Sequence, residues 1–272
     1  MPELPLVSPL DRALFLRAQP YFDGLEPSIV ASIATHAVER FARPGEWIQQ
    51  EYEPVREVAF LAEGAVSVMR GDEVLTEITA PGGVGLAPAL AGRRATPGIV
   101  ATEPTVYLGV SYSSFLQLLE DRYPLLLQIA KTLCTLAPSA VAQGEVEPRA
   151  PKLGTLDPVG RISFARGAPL LGDINLTLLL EILRSAEEVK LEAGHSLWQR
   201  GDVERDLALV VEGELQLDDL LATEAVTWGV RASVPSRVLR VPRERYIDVV
   251  EDDFDAGMHL LRYLAARFVD RW

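Results

Sequence analysis

Pro44-Gly45-Glu46-Trp47-Ile48-Gln49-Gln50 and, 149 residues further on, Ala193-Gly194-His195-Ser196-Leu197-Trp198-Gln199 set a glycine turn at the same point of one framework. Nineteen residues after each turn glycine stands a second one, Gly64 and Gly213. Working outward without a gap, the match runs from Pro9 to Gly64, and fourteen of its 56 positions are identical, among them Pro9/Pro158, Arg12/Arg161, Pro20/Pro169, Ala37/Ala186 and Glu63/Glu212. Chance identity at roughly one position in fifteen would give about four, so one folded unit has been written twice.

Bulk numbers agree with that. A chain of 272 residues has room for two ordinary domains, and 48% apolar with 24% charged residues is the composition of a globular protein. No apolar run approaches the roughly 18–20 residues that a membrane span needs. The Met1-Pro2-Glu3 start lacks a basic segment followed by an apolar one. A soluble cytoplasmic protein without membrane insertion is therefore expected. The single cysteine, Cys134, leaves no internal disulfide and no multi-thiolate metal site. A formal net charge of −13 with no local basic face argues against a nucleic-acid partner.

Along the chain, Ser8-Pro9 predicts a capped helix through Arg17, and a second helix is expected from about Glu26 to Ala37, with its counterpart from about Asn175 to Glu187. The period then becomes that of strands. Glu46-Trp47-Ile48, Glu57 to Leu61, and the hairpin of Ala65 to Met69 with Glu73 to Ile78 follow one another. Arg70-Gly71-Asp72 is the hairpin turn rather than an adhesion motif. Thr105 to Val110 reads as a last strand and Ser113 to Leu136 as helix interrupted near Tyr123-Pro124. The second copy closes alike at an offset of 131, pairing Tyr107/Val238, Phe115/Tyr246 and Leu133/Leu264. The Pro-, Gly-, Ala- and Glu-rich residues 137–156 read as a linker between domains at 8–136 and 157–272. The fold class is α+β: two jelly-roll-like β-rolls, each flanked by N- and C-terminal helices.

The strings Phe22-Asp23-Gly24-Leu25, Pro44 to Ile48, Phe60-Leu61-Ala62-Glu63-Gly64-Ala65-Val66-Ser67-Val68 and Ala193 to Asp202 resemble the cyclic nucleotide-binding domain family over nearly the whole chain. That resemblance implies a phosphate-binding cassette between the sixth and seventh strands. There a Gly-Glu pair opens a short helix, the Glu accepts from the ribose 2′-hydroxyl, and an Arg about nine residues later pairs with the cyclic phosphate. In the first copy Gly85 fits, but Leu86 stands at the Glu position. A leucine accepts no hydrogen bond, and a ribose hydroxyl left without a partner costs about 1–3 kcal/mol. Arg94, in Arg94-Ala95-Thr96, is the candidate phosphate ligand; its bland counterpart is a solvated loop arginine.

The second copy departs further. Gly64 to Phe115 is 51 residues whereas Gly213 to Tyr246 is 33, so eighteen residues are missing where the cassette belongs. Gly229 is followed by Val230, and Arg231 is a weak candidate without a pre-formed anion cradle.

Other chemistry finds little support. His36, His195 and His259 lack the paired spacing of a cupin-type metal site, and no nucleophile elbow, Walker loop or dinucleotide fingerprint occurs. The runs Glu251-Asp252-Asp253 and Asp218-Asp219 read as solvated faces. No metal, no resident cofactor and no catalysis are expected. The C-terminal stretch carries Leu260, Leu261, Leu264 and Phe268 on one helix face, for packing on its own roll or for a homodimer of the kind formed by the dimeric bacterial regulators that the chain resembles. The expectation is a regulatory or scaffold protein acting through protein contacts. Leu86, Leu90 and Trp228 would line open apolar pocket mouths for a partner. The alternative is a sensor of cyclic AMP, cyclic GMP or another phosphorylated nucleotide through the first domain.

Overall fold

Serine and proline start the first helix as their chemistry dictates. In the computed structural model, Ser8 caps α1 (Pro9–Arg17) in a capping box, its hydroxyl accepting from the Asp11 N–H at 3.1 Å while the Asp11 carboxylate accepts from Ser8. The structure describes residues 8–92, 96–136, 156–168, 170–172, 174–199, 206–218 and 229–270. The chain divides into two compact units, Met1–Ala137 with Leu261–Trp272, and Pro138–Leu260. Of the stretch 137–156 only Leu156 is among the described residues.

In the first unit, α2 (Pro27–His36) runs directly into β1 (Ala37–Ala42), and β2 (Trp47–Gln49), β3 (Glu57–Glu63), β4 (Ala65–Arg70), β5 (Glu73–Thr79) and β6 (Gly82–Val84) follow. A short helix, α3 (Leu86–Ala91), precedes β7 (Gly98–Ala101) and β8 (Thr105–Ser111); α4 (Tyr112–Asp121) and α5 (Tyr123–Leu136) close the unit. The strands form two antiparallel sheets, β1-β8-β3-β6 and β2-β7-β4-β5. Alternation then sends one set of side chains between the sheets. Ala42, Ala59, Leu61 and Tyr107 from the first meet Val66, Ile99 and Ala101 from the second, all buried. The opposite face of β3 carries Phe60, fully buried, with the Phe22 ring at 5.1 Å and Tyr21 at 6.2 Å. Each such aliphatic or aromatic side chain contributes about 1.5–3 kcal/mol by burial. The carbonyl of Pro20 accepts from Thr132 at 3.2 Å and from Gln128 at 3.3 Å, so α5 is tied back to the N-terminal segment.

The second unit repeats the plan with α6 (Pro158–Arg166), α7 (Leu176–Arg184), β9 (Glu187–Leu191), β10 (Ser196–Trp198), β11 (Leu207–Glu212), β12 (Leu215–Asp218), β13 (Gly229–Ala232), β14 (Ser236–Val241) and α8 (Arg243–Asp252), followed by α9 (Phe254–Val269), whose residues from Leu261 onward group with the first unit. Its sheets, β9-β14-β11 and β10-β13-β12, keep the first unit's order. Among the described residues they lack counterparts of β5, β6 and α3. Single bonds recur as well. Gly45 and Gly194 donate to Ala101 and Ala232, both at 2.7 Å, and Arg12 and Arg161 donate to the carbonyls of Ala37 and Ala186 at 2.9 and 3.0 Å. Gly64 (φ 86°) and Gly213 (φ 91°) sit so close to the following strand that a Cβ would lie 2.8 Å from Thr105 Cα and 2.7 Å from Ser236 Cα.

The structure corrects the expected helix ends. α2 stops at His36 and α7 at Arg184, because the next residues enter ladders, Ala37 opposite Val110 and Glu187 opposite Arg240. Sheet pairing outweighs the helical continuation that Ala37 and Glu187 invite in sequence.

Candidate functional site

The cassette of the first unit has the expected place and shape, between β6 and β7. Gly85 takes φ 89° and caps α3, and its bare Cα approaches the chain so closely that a Cβ would meet the Glu57 carbonyl at 2.9 Å. The six-residue sequence Leu-Ala-Pro-Ala-Leu-Ala makes the helix apolar, with Pro88 in its first turn where no intrahelical N–H is needed.

Leu86 decides what the cassette offers. Its side chain is 2% exposed and Leu90 is 1% exposed, with Ala87 and Pro88 also buried. The expected open apolar mouth lined by Leu86 and Leu90 is therefore absent; both side chains are spent on packing the helix onto the roll. Arg94 lies outside the described residues, as does Trp228. Next to Arg94, Thr96 is buried and its hydroxyl donates to the Glu53 carbonyl at 2.7 Å.

On the β1-β8-β3 sheet the chain pairs its own polar side chains, partly open to solvent. The Glu57 carboxylate accepts from Arg40 Nε at 2.9 Å and from the Tyr107 hydroxyl at 3.2 Å. Gly109 gives it room, since a Cβ there would lie 2.6 Å from Glu57 Oε2. Desolvation and the neighbouring Glu57 charge hold the Tyr107 phenol well above its ordinary pKa. The Glu57, Arg40 and Tyr107 grouping is one that sequence reading missed. Its signal was the alternation of Glu57 with Ala59 and Leu61, which puts a carboxylate on the inward face of β3.

A cyclic nucleotide is the group that this fold family implies. Gly85 fits it; Leu86, apolar and buried, does not fit the ribose-binding position. In the second unit Arg231 lies exposed on β13, opposite Ser196 and Gln216 in the ladders, with no cassette helix before it among the described residues. The structure does not bring Arg231 together with Gly85 and Leu86 in one unit.

Two surface hollows lie elsewhere. One, of about 640 Å³, is bordered by Glu181, Arg184, Arg245 and Asp248 in the second unit; the other, of about 400 Å³, by Ser28, Asp121, Arg122 and Tyr123 in the first. Among the described residues no group of three or more His, Cys, Asp or Glu is placed to hold a metal ion. No described helix is long and apolar enough to cross a membrane.

Comparison with known proteins bears on the first unit. The family described as cyclic nucleotide-binding domain matches residues 39–122. No curated protein matches the chain. Among solved structures, the sensor domain of the transcriptional regulator DNR from Pseudomonas aeruginosa is similar at 16% identity, covering 51% of this chain and 97% of that one, with a TM-score of 0.44. A cAMP-binding acyltransferase from Mycobacterium smegmatis is 20% identical, over 47% of this chain and 41% of its own, at a TM-score of 0.37. The cAMP-bound PfPKA-R is 12% identical, over 90% and 84%, at a TM-score of 0.38. Residues 39–122, from within β1 through α4 and including the helix between β6 and β7, match the cyclic nucleotide-binding domain family.

Proposed function

We propose that this chain is a non-enzymatic, cytoplasmic regulatory or scaffold protein whose cyclic nucleotide-binding-like units act by contact with partner proteins and no longer hold cyclic nucleotide. Leu86 carries the reading. At 2% exposure it stands where a ribose-accepting carboxylate would be, and a sugar hydroxyl desolvated against it would lose about 1–3 kcal/mol. The Glu57, Arg40 and Tyr107 grouping adds support, because its carboxylate is already paired within the roll.

Gly85, left-handed and capping α3, favours a second reading in which the first unit remains a nucleotide sensor with Arg94 as phosphate ligand. Isothermal titration of the whole chain with cyclic AMP and cyclic GMP decides between them. Silence with both is expected. Saturable micromolar heat abolished by Arg94→Ala would overturn the proposal in favour of the sensor.

A further inference from the structure

Tyr52 is the only non-glycine residue with positive φ among the described residues, at 64°. The repeat at offset 149 pairs it with Gly201, so a tyrosine occupies a position where the chain's other copy has the residue that tolerates this backbone. Much of the surrounding structure holds it there. Its N–H donates to the Thr96 carbonyl at 3.1 Å, Thr96 donates to the Glu53 carbonyl at 2.7 Å, and the Gln49 amide donates to Gln50 and Glu53 carbonyls at 2.9 and 3.0 Å. Gln49 and Thr96 are both buried, so polar side chains in the interior pin the loop from beneath. Glu51 bonds the Gly71 N–H at 2.9 Å, and a hydrogen bond to the same Glu51 leads the causes that raise the Tyr52 phenol pKa.

The side chain held in this way is 66% exposed. Beside it, Trp47 is 41% exposed and lies across Gly98, where a Cβ would collide with the indole and would also come within 3.4 Å of the Glu51 N–H nitrogen. Trp47, too, has no counterpart in the second copy, which carries Ser196. The result is two solvent-facing aromatic side chains, of residue types that dominate binding energy at protein interfaces. Between residues 43 and 77 there are eight acidic residues against three arginines, within a chain of net charge −13. Aromatic faces in an acidic surround attract guanidinium and ammonium groups.

We infer that Trp47 and Tyr52 form the docking surface for an arginine- or lysine-bearing segment of a partner protein. The inference rests on the protein-contact reading above and names the surface and chemistry of that contact. A fluorescein-labelled hexa-arginine peptide titrated into the whole chain, followed by fluorescence anisotropy at physiological salt, tests it. Two variants graft the second copy's residues without altering charge, Tyr52→Gly and Trp47→Ser. The parent is expected to bind saturably, each variant at least tenfold more weakly, and Tyr52→Gly to melt above the parent because its backbone strain is relieved. Absence of binding by the parent, equal binding by all three proteins, or a Tyr52→Gly variant that melts below the parent would each overturn the inference. Cyclic nucleotide titrated in parallel keeps the two failures apart: heat there removes the protein-contact reading, while an unchanged peptide isotherm in the variants removes only this surface.

Discussion

Replacing Leu86 by the family's glutamate is the most direct challenge to the reading of the cassette. The buried leucine contributes about 1.5–3 kcal/mol through its transfer from water, all of which Leu86→Glu forfeits. The new carboxyl then has two choices. Kept inside, it ionises only with a pKa raised by about 2–3 units, which adds about 3–4 kcal/mol at neutral pH. Swung outward, it leaves a leucine-sized void under α3 at a cost of about 2–5 kcal/mol in total. The positive end of so short a helix offsets about 0.5 kcal/mol. At pH 8 the first unit therefore loses about 4–6 kcal/mol if the carboxyl stays inside and about 2–4 kcal/mol if it swings out. The buried case has a signature. A raised folded-state pKa means that the folded chain holds a proton which the unfolded chain releases, so the deficit is full at high pH and shrinks as pH falls toward about 4.3. Urea unfolding by circular dichroism at about pH 5 and pH 8, with Leu86→Ala as the volume control, measures both parts. A Leu86→Glu protein as stable as the parent, or one that binds cyclic AMP, would show that a ready nucleotide pocket lies in front of residue 86, and the argument from burial would fall.

Two further outcomes follow from the same geometry. Gly64→Ala and Gly213→Ala each cost about 2–4 kcal/mol, from left-handed strain plus collision with Thr105 or Ser236, whereas Gly45→Ala, with nothing within 4 Å, costs about 1–2 kcal/mol. Urea midpoints rank the three, and an equal loss at Gly45 would contradict the steric account. Burial pushes the Tyr21 phenol from 10.0 up to about 12. The stability it confers is whole below pH 10 and falls as pH climbs toward 12, by about 1.4 kcal/mol per pH unit, so Tyr21→Phe should flatten that alkaline limb in unfolding curves.

Much of the architecture was legible because its signals are local. Ser8-Pro9 announces α1, and the paired glycines 45/64 and 194/213 mark turns that other residues cannot make cheaply. β1 was not legible: Ala-Val-Glu-Arg-Phe-Ala follows α2 with no turn residue, and its identity comes from pairing with β8, which lies some seventy residues away in the chain. β6 and β7 are three and four residues long, too short to display a period. The cassette and the acidic position at which Leu86 stands were given by the resemblance to the cyclic nucleotide-binding domain family, not by spacing or composition. That Leu86 and Leu90 face inward was not, because apolar residues on a short helix at a pocket line either a mouth or a core, and only packing distinguishes them. Tyr52 carried a readable signal in its pairing with Gly201, whose meaning appears only once its φ is known.

The bonds from Thr132 and Gln128 to the Pro20 carbonyl bear on how the protein is made. They join groups up to 112 residues apart, across the whole of the first roll. At ribosomal speeds of about 5–20 residues per second, roughly 5–20 s separate the emergence of Pro20 from that of its partner helix. Until then the N-terminal helices and their roll have left the ribosome without the segment that covers them. The first roll is therefore covered by α5 only after that delay, and for those seconds Phe22 and its neighbours are the surface that a nascent-chain chaperone would meet.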